Sequence, residues 1–299
     1  MHGKVVLITG GNSGIGRATA IELARRGARV VFTSRDPQRG SEALEAIRAA
    51  SGGDVACLPL DLARLGSVAE LADAFASRYD RLDVLINNAG GVLSDRHVTE
   101  DGYEMTFQVN HLGHYLLTRR LERLLCASAP ARIVAVSSMV HRAAGRLDFD
   151  DLHAERRYIG FHAYCRAKLA NVLFVRELAR RLAPNGVVAY ALHPGTIASG
   201  FGRDGDTRGV FALGVALGSP FFGSPERGAE LPVRLATGEL DGEMGAYFER
   251  GRARRPSRAA RDDGAARRLW DVSEALCEAR GFACSPLADP RRRAASDDE

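Results

Sequence analysis

Short runs of β-branched residues alternate with longer stretches rich in alanine, leucine and arginine along most of this 299-residue chain. Strand-like runs that are each followed by a helical stretch predict an α/β fold with a parallel sheet. The apolar runs are continuous, as expected of strands that are covered on both faces. The predicted strands are Lys4–Thr9, Arg29–Thr33, Val55–Leu60, Leu82–Asn87, Arg132–Ser137 and Val187–Leu192.

Helical stretches separate these strands, and right-handed crossovers place such helices on both faces of the sheet. The predicted helices are Ile15–Arg26, Gln38–Ala50, Val68–Arg78, Tyr103–Ala127 and Ala163–Leu182. No linker divides the chain, so we expect one doubly wound domain over residues 1–250. Residues 251–299 are expected to form a C-terminal extension with one short helix, Ala265–Arg280, and a disordered tail.

The composition limits the class of protein. Apolar residues make up 45% and charged residues 26%, which excludes a fibrous or wholly disordered chain. Five cysteines without a close CxxC pair argue against a disulfide framework or a zinc knuckle. A net charge of +4 is too balanced to indicate a nucleic-acid partner. We also expect no membrane span and a cytoplasmic location, because no targeting segment or long apolar stretch is evident.

A glycine-rich loop follows the first predicted strand and opens the first helix. It reads TGGNSGIG over Thr9–Gly16. Its glycines permit a tight turn and a close backbone approach, while the helix N-terminus presents free N–H groups and a positive dipole end to a pyrophosphate. This strand–turn–helix context predicts a dinucleotide site. The cofactor-binding residues expected in this loop are Gly10, Asn12, Ser13, Gly14, Ile15 and Gly16.

The end of the second strand predicts which dinucleotide is bound. An acidic side chain there would favour NAD, whereas a basic one would accept the 2′-phosphate of NADP. Ser34 stands where an acid would be expected, and the guanidinium of Arg35 suits a phosphate. We therefore expect NADP (NADPH) to be preferred over NAD. The alternatives are that the adjacent Asp36 neutralises Arg35, or that Arg35 is an ordinary surface residue.

Four short motifs resemble the short-chain dehydrogenase/reductase family in their order and separations. They are TGGNSGIG, NNAG over Asn87–Gly90, YCRAK over Tyr164–Lys168, and the pair Pro194 and Gly195. A closer resemblance, to the retinol-dehydrogenase-like branch that includes the WW-domain oxidoreductase, lies in Val109–His114, Val136–His141 and Ala163–Phe174. The resemblance implies a single Rossmann-type domain with a seven-stranded parallel sheet, helices on both faces, and a homodimer or homotetramer.

Tyr164 and Lys168 lie four residues apart, so on a helix they share one face. A phenol ionises near pH ~10, and a nearby ammonium lowers that pKa, as would the positive charge of an oxidised nicotinamide. Tyr164 could then give a proton to a carbonyl, or take one from an alcohol, while Lys168 holds the nicotinamide ribose. Ser138 ends the fifth strand, where its hydroxyl could hold the substrate oxygen.

The resemblance completes the expected site. It selects Ser138 over Ser137 as the catalytic serine and makes Asn110 the fourth catalytic residue, which relays protons to Lys168 through water. It also implies further cofactor contacts, in which Asp61 bonds the adenine amine and Asn87 either lines the crevice or holds the fourth strand in place. The implied cofactor residues are Asp61, Leu62, Asn87, Ala89, Gly90, Tyr164, Lys168, Pro194, Gly195 and Thr196. No metal site is expected.

The segment after the sixth strand predicts the substrate class. Residues 197–225 combine phenylalanines and leucines with several glycines, which suits a mobile apolar lid; the alternative is an interface loop in an oligomer. We expect an NADP(H)-dependent oxidoreductase that acts on an apolar aldehyde, ketone or alcohol of retinoid-like or lipid-like kind. The alternative function is a non-catalytic NADP-binding sensor or interaction protein built on the same fold.

Overall fold

The computed structural model describes residues 1–195 and 223–283, and within these ranges eight strands form one sheet. The strands are β1 (Val5–Ile8), β2 (Arg29–Ser34), β3 (Val55–Pro59), β4 (Val84–Asn87), β5 (Ala131–Val136), β6 (Val187–His193), β7 (Tyr247–Glu249) and β8 (Arg252–Arg254). Their spatial order is β3-β2-β1-β4-β5-β6-β7-β8. The chain therefore reverses direction along the sheet between β1 and β4, which is where ligands bind in doubly wound folds.

Helices separate the strands, as the sequence predicts. They are α1 (Gly14–Arg25), α2 (Pro37–Ser51), α3 (Leu65–Arg78), α4 (Met105–Phe107), α5 (Gly113–Arg120), α6 (Glu122–Ala127), α7 (Gly160–Leu182), α8 (Pro225–Thr237) and α9 (Asp263–Glu278). The stretch predicted as one helix over Tyr103–Ala127 is interrupted. A π-helical turn over Gln108–Leu112 joins α4 to α5, and Leu121 separates α5 from α6.

The core lies in two layers, one on each face of the sheet. Successive strand residues alternate between them: Val5 and Leu7 of β1 face one layer, whereas Val6 and Ile8 face the other. Helices α3, α5, α7 and α9 cover the first face, and α1, α2 and α8 cover the second. The single α/β domain of Rossmann type with helices on both faces is confirmed.

The sheet has eight strands, and the expected number of seven was wrong by one. Strand β8 pairs antiparallel with β7, whereas the other neighbouring strands are parallel. Arg250 and Gly251 join the two strands with φ of 52° and 75°. Positive φ at both residues of a two-residue loop is the geometry of a tight β-hairpin turn. This hairpin adds an edge strand that has no apolar run of its own.

The last described helix, α9, packs on the outward side of α7. Its Trp270 is 1% exposed, and its indole lies between two guanidinium groups, 4.9 Å from that of Arg119 and 4.3 Å from that of Arg181. Tyr115 meets the same indole edge-on at 5.2 Å. Residues beyond 250 therefore share the core of the sheet-bearing domain. Across the described ranges, no helix combines the length and the hydropathy needed to cross a membrane.

Replacing Trp270 with alanine should destabilise the protein by about 3–5 kcal/mol, because it empties a large buried volume and removes two cation–π contacts. Trp270→Phe is the control, since it keeps an aromatic ring in the same place and should lose less than half as much. Urea unfolding followed by far-ultraviolet circular dichroism measures both. A loss below about 1 kcal/mol for the alanine variant would show that α9 contributes little to the domain's stability.

Candidate active site

The glycine-rich loop leaves β1 at the point where the strand order reverses. Gly10 and Gly14 have φ of 68° and 51°, values that favour glycine. A β-carbon on Gly10 would lie 3.0 Å from Cβ of Ala89, and one on Gly16 would collide with the carbonyl of Gly10. Ser13 precedes α1 and forms no side-chain capping bond, so the backbone N–H groups of the first turn can receive a phosphate. These features fit the pyrophosphate of a dinucleotide.

Asn88 ties the glycine-rich loop to the NNAG segment, a role that the sequence analysis missed. Its amide nitrogen donates to the carbonyls of Thr9, at 2.9 Å, and Gly10, at 3.3 Å. The hydroxyl oxygen of Thr9 in turn accepts from the backbone N–H groups of Asn88, at 2.9 Å, and Ala89, at 3.0 Å. The motif NNAG was a signal for this residue, but only the folded geometry shows which of its asparagines contacts the loop.

Asn87 holds β4 against the following helix, which is one of the two roles that the sequence left open. Its side chain is 3% exposed, and its amide nitrogen donates to Oγ1 of Thr118 at 3.0 Å, which joins β4 to α5. Asp61 follows β3, and its carboxylate accepts from the N–H of Ala63 at 3.0 Å. The neighbouring Leu62 packs closely against Gly113: a β-carbon added to Gly113 would lie 2.9 Å from the Leu62 side chain.

Ser34 and Asp36 form local hydrogen bonds at the end of β2. The hydroxyl of Ser34 donates to the carbonyl of Asp36 at 2.8 Å. The carboxylate of Asp36 accepts from the N–H of Arg39 at 2.9 Å and thereby caps α2. Arg35 is exposed and has no ion pair among the described residues. One oxygen of the Asp36 carboxylate is thus engaged in capping α2, and no ion pair joins Asp36 to Arg35.

Two consecutive serines at the end of β5 point to different tasks. The hydroxyl of Ser138 lies near the Tyr164 phenol and acts to lower its pKa, whereas the hydroxyl of Ser137 donates to the backbone carbonyl of Lys168 at 2.8 Å. The ammonium nitrogen of Lys168 lies 5.5 Å from the centre of the Tyr164 ring and donates to the carbonyl of Val136 at 3.1 Å. The structure thus brings Ser138, Tyr164 and Lys168 together and gives Ser137 a structural bond.

Asn110 reaches the same place from the π-helical turn. Its amide nitrogen donates to the carbonyls of Gly91 and Thr106, each at 2.8 Å, while its side-chain oxygen is buried without a hydrogen-bond partner. A β-carbon on Gly90 would collide with that oxygen and would lie 3.2 Å from Nζ of Lys168. The free acceptor of Asn110 and the amine of Lys168 therefore flank the same small space.

Burial sets the protonation states of the site. It raises the pKa of Tyr164, and the nearby Ser138 hydroxyl opposes that shift without outweighing it. Burial also lowers the pKa of Lys168 to about 8. The sequence led us to expect that Lys168 would lower the pKa of Tyr164, but the pKa is raised. Removing the phenolate from water costs more than the attraction of a nearby ammonium returns. At neutral pH the Tyr164 hydroxyl therefore keeps its proton.

A row of polar side chains runs along the inward edge of the helix that carries Asn110. Asn110, His114 and Thr118, here named the polar ladder, are spaced four residues apart and share one helix edge. Each donates to the backbone carbonyl four residues earlier: to Thr106 at 2.8 Å, to Asn110 at 3.1 Å and to His114 at 2.7 Å. The polar ladder is buried throughout.

The polar ladder also contacts the segments that follow β1 and β4. The partners are the Gly91 carbonyl for Asn110, the Thr9 hydroxyl for His114 and the Asn87 amide for Thr118. The same helix edge therefore holds the NNAG segment and the glycine-rich loop. Sequence reasoning used His114 only within the Val109–His114 resemblance and gave Thr118 no role, although a repeat of polar residues every four positions was a visible signal.

Part of the expected nicotinamide site and most of the expected lid lie outside the described residues. Pro194 and Gly195 follow β6 at the same edge of the sheet, and Gly195 has φ of 97°. Thr196 and most of the expected lid over residues 197–225 fall outside the described ranges.

Comparison with known proteins agrees with this architecture. Residues 4–207 match the short chain dehydrogenase family. Human retinol dehydrogenase 14 is 44% identical over 295 residues, which cover 92% of this chain and 87% of that protein. A solved structure from Mycobacterium paratuberculosis is similar with a TM-score of 0.74 at 35% identity, over 93% of this chain and 94% of that one. RhlG of Pseudomonas aeruginosa, solved in complex with NADP, has a TM-score of 0.65 at 26% identity. The match covers 83% of this chain and 94% of RhlG.

A glycine-rich loop at the switch point of a doubly wound sheet, with a serine, a tyrosine and a lysine gathered at the same edge, defines a dinucleotide-dependent oxidoreductase. The chain belongs to the short-chain dehydrogenase/reductase family and is retinol-dehydrogenase-like within it. The family resemblance that the motifs indicate is confirmed.

Gly90→Ala should lower kcat by about 100-fold, because its methyl group would displace the Asn110 side chain and crowd the amine of Lys168. Gly91→Ala is the matched control, since a β-carbon there meets no atom within 4 Å. Steady-state kinetics of both variants, with melting temperatures to show that each is folded, measure the effect. Equal activity of the two variants would show that the space between Asn110 and Lys168 has no part in turnover.

Proposed function

We propose that this chain is an NADP(H)-dependent oxidoreductase that moves a hydride between the nicotinamide and an apolar aldehyde, ketone or alcohol. The observation that carries the proposal is the buried Tyr164 phenol, with the buried amine of Lys168 5.5 Å from its ring centre and the Ser138 hydroxyl near it. A hydroxyl that can hold a carbonyl oxygen, a phenol that can protonate it and a cation behind that phenol are the groups that carbonyl reduction needs.

Each residue has a distinct part in the proposed reduction. The bound nicotinamide supplies the hydride. Ser138 donates a hydrogen bond to the substrate oxygen, and Tyr164, protonated at neutral pH because burial raises its pKa, transfers its proton to that oxygen as negative charge develops. Lys168 stabilises the phenolate that remains, and the free side-chain oxygen of Asn110 accepts a hydrogen bond from a water or from the amine during reprotonation.

The preference for NADP rests on the end of β2. Asp36 caps α2 and forms no ion pair with Arg35, whose exposed guanidinium can bind a 2′-phosphate by two parallel hydrogen bonds. Ser34, at the end of the strand, offers no carboxylate to repel that phosphate. RhlG, one of the structural relatives, is solved in complex with NADP, whereas a 3-ketoacyl-(acyl-carrier-protein) reductase among them is in complex with NADH, so the proposed preference rests on the residues of this chain.

The apolar substrate class rests on the surroundings of the catalytic pair. Met139 directly follows Ser138 and is 47% exposed, and Phe161, three residues before Tyr164, is 38% exposed. Exposed large apolar side chains beside a polar reaction centre favour a substrate with an apolar body. Similarity to retinol dehydrogenase 14 supports an aldehyde or alcohol of lipid-like kind.

Tyr164→Phe should abolish reduction of apolar aldehydes while NADPH affinity stays within about threefold of wild type, because only the proton donor is lost. Tyr158→Phe is the control, since it removes a second, partly buried tyrosine hydroxyl, bonded to Thr106, that has no part in the proposed reaction. NADPH oxidation and NADPH fluorescence titration give the two quantities. Persistent turnover in Tyr164→Phe would assign the proton donor elsewhere; NADPH binding without turnover in the wild type would favour the sensor function.

Arg35→Ala should weaken NADPH binding about 10- to 100-fold, since charge-assisted hydrogen bonds contribute about 1.5–3 kcal/mol. Binding of NADH to the same variant is the internal control and should change little, because NADH lacks the 2′-phosphate. Fluorescence titration with both cofactors separates the two effects. An equal change for both would mean that Arg35 does not contact the 2′-phosphate.

A further inference from the structure

The central member of the polar ladder, His114, uses both of its ring nitrogens. Nδ1 lies 3.1 Å from the backbone carbonyl oxygen of Asn110, and Nε2 lies 2.9 Å from the hydroxyl oxygen of Thr9. The side chain is 3% exposed. A single imidazole thus connects the residue proposed for proton relay with the first residue of the glycine-rich loop.

These contacts determine the tautomer of His114. A carbonyl oxygen can only accept a hydrogen bond, so Nδ1 carries the hydrogen and donates to Asn110. Nε2 is then the acceptor, and the hydroxyl of Thr9 donates to it. The oxygen of the same hydroxyl accepts from the N–H groups of Asn88 and Ala89. A continuous hydrogen-bonded chain therefore runs from the NNAG segment through Thr9 and His114 to the backbone of Asn110.

The environment of His114 favours a neutral ring. Burial is the main reason that its pKa is lowered to about 4; the bond to Asn110 opposes this shift, and the positive charge of Lys168 contributes to it. A ring that stays neutral through the physiological range keeps one donor and one acceptor, which is the combination that this position requires.

The backbone that His114 holds is not regular helix. Asn110 lies in the π-helical turn over Gln108–Leu112, where the i→i+4 bonds of an α-helix are replaced. π-Helical turns occur frequently at functional sites, and the direction of the Asn110 side chain depends on the backbone of this one. The imidazole supplies an external bond to the Asn110 carbonyl at this irregular point.

We propose that His114 is a positioning residue for the reaction described above: it aligns Asn110 with the glycine-rich loop, so that the proton relay and the cofactor site hold one relative geometry. This inference rests on the proposed function. His114 does not contact the substrate. Its two ring nitrogens have separable tasks, since Nδ1 orients the relay and Nε2 orients the loop that binds the cofactor.

His111 provides a comparison within the same helix. It is 1% exposed, and its Nε2 lies 2.9 Å from the hydroxyl of Ser273 on α9. That hydroxyl donates to the carbonyl of Leu269 at 2.7 Å, so His111 is the donor to Ser273. His111 therefore ties the helix to the C-terminal part of the core and makes no contact with the glycine-rich loop. A buried histidine that is merely structural should behave as His111 does.

Two substitutions separate the tasks of the two nitrogens. The amide nitrogen of His114→Asn can take the place of Nδ1 and keep the bond to Asn110, but the side chain is too short to reach Thr9. The amide oxygen of His114→Gln can take the place of Nε2 and keep the bond to Thr9, but leaves the Asn110 carbonyl without its donor. Each variant therefore preserves one hydrogen bond and removes the other: His114→Asn keeps the bond to Asn110, and His114→Gln keeps the bond to Thr9.

The expected result is an opposite pattern in the two variants. His114→Asn should keep kcat within about threefold and bind NADPH about tenfold more weakly, whereas His114→Gln should lose about 100-fold in kcat and keep its NADPH affinity. His111→Gln should lower the melting temperature without either change. Parallel losses of kcat and NADPH affinity in both His114 variants, or an unchanged kcat in His114→Gln, would overturn the positioning role.

A second measurement does not depend on turnover. Imidazole ¹⁵N spectra of the cofactor-free protein, with His114→Asn used to assign the signal, should show hydrogen on Nδ1, none on Nε2, and no titration between pH 5.5 and 8 because the pKa is about 4. A hydrogen on Nε2, or titration within that range, would overturn the proposal. Wild-type protein that turns over no apolar carbonyl would contradict the proposed function alone, and the spectra and NADPH affinities would still decide the role of His114.

Discussion

The polar edge of the helix that carries Asn110 is buried across the ends of β1 and β4, where a polar group without a partner is costly. The polar ladder supplies those partners. It bonds Thr9 after β1 and Asn87 at the end of β4, and each of its members also bonds the carbonyl four residues earlier. Leaving one such group unpaired costs about 1–3 kcal/mol, so the two loops at the switch point hold one arrangement relative to this helix.

The same burial that makes the ladder necessary also sets the chemistry of the site. Withdrawal from water raises the pKa of Tyr164 and lowers that of Lys168, so it opposes charge on both groups. A phenol that keeps its proton until a carbonyl oxygen becomes basic is suited to reduction. Transfer of that proton creates a phenolate beside the amine of Lys168, where an ammonium stabilises it most. The helix α9 and its Trp270 complete the layer that keeps α7, the helix bearing both residues, buried on its outward side.

The sequence predicts most of the fold because its signals are local. Strands β1 to β6 are continuous apolar runs, and the glycine-rich loop identifies where β1 ends. Strands β7 and β8 have three residues each, and β8 reads Arg-Ala-Arg, so only pairing in the folded sheet makes it a strand. Helix α8 was not predicted, although Ser224 and Pro225 form a capping signal, because it follows a segment interpreted as a lid.

In the candidate site, too, the sequence predicts the residues that lie in local motifs and misses the roles that depend on distant contacts. Motif spacing indicates Tyr164 and Lys168, but the different bonds of Ser137 and Ser138, and the part of His114, depend on residues far away in the chain. One measurement tests hydride transfer itself: a single turnover with NADPH deuterated at the transferred position and a long-chain aldehyde. This account predicts an alcohol that carries one deuterium on its carbinol carbon. NADPH that binds tightly but transfers no deuterium to any apolar aldehyde or ketone would contradict it and would indicate a non-catalytic dinucleotide-binding protein.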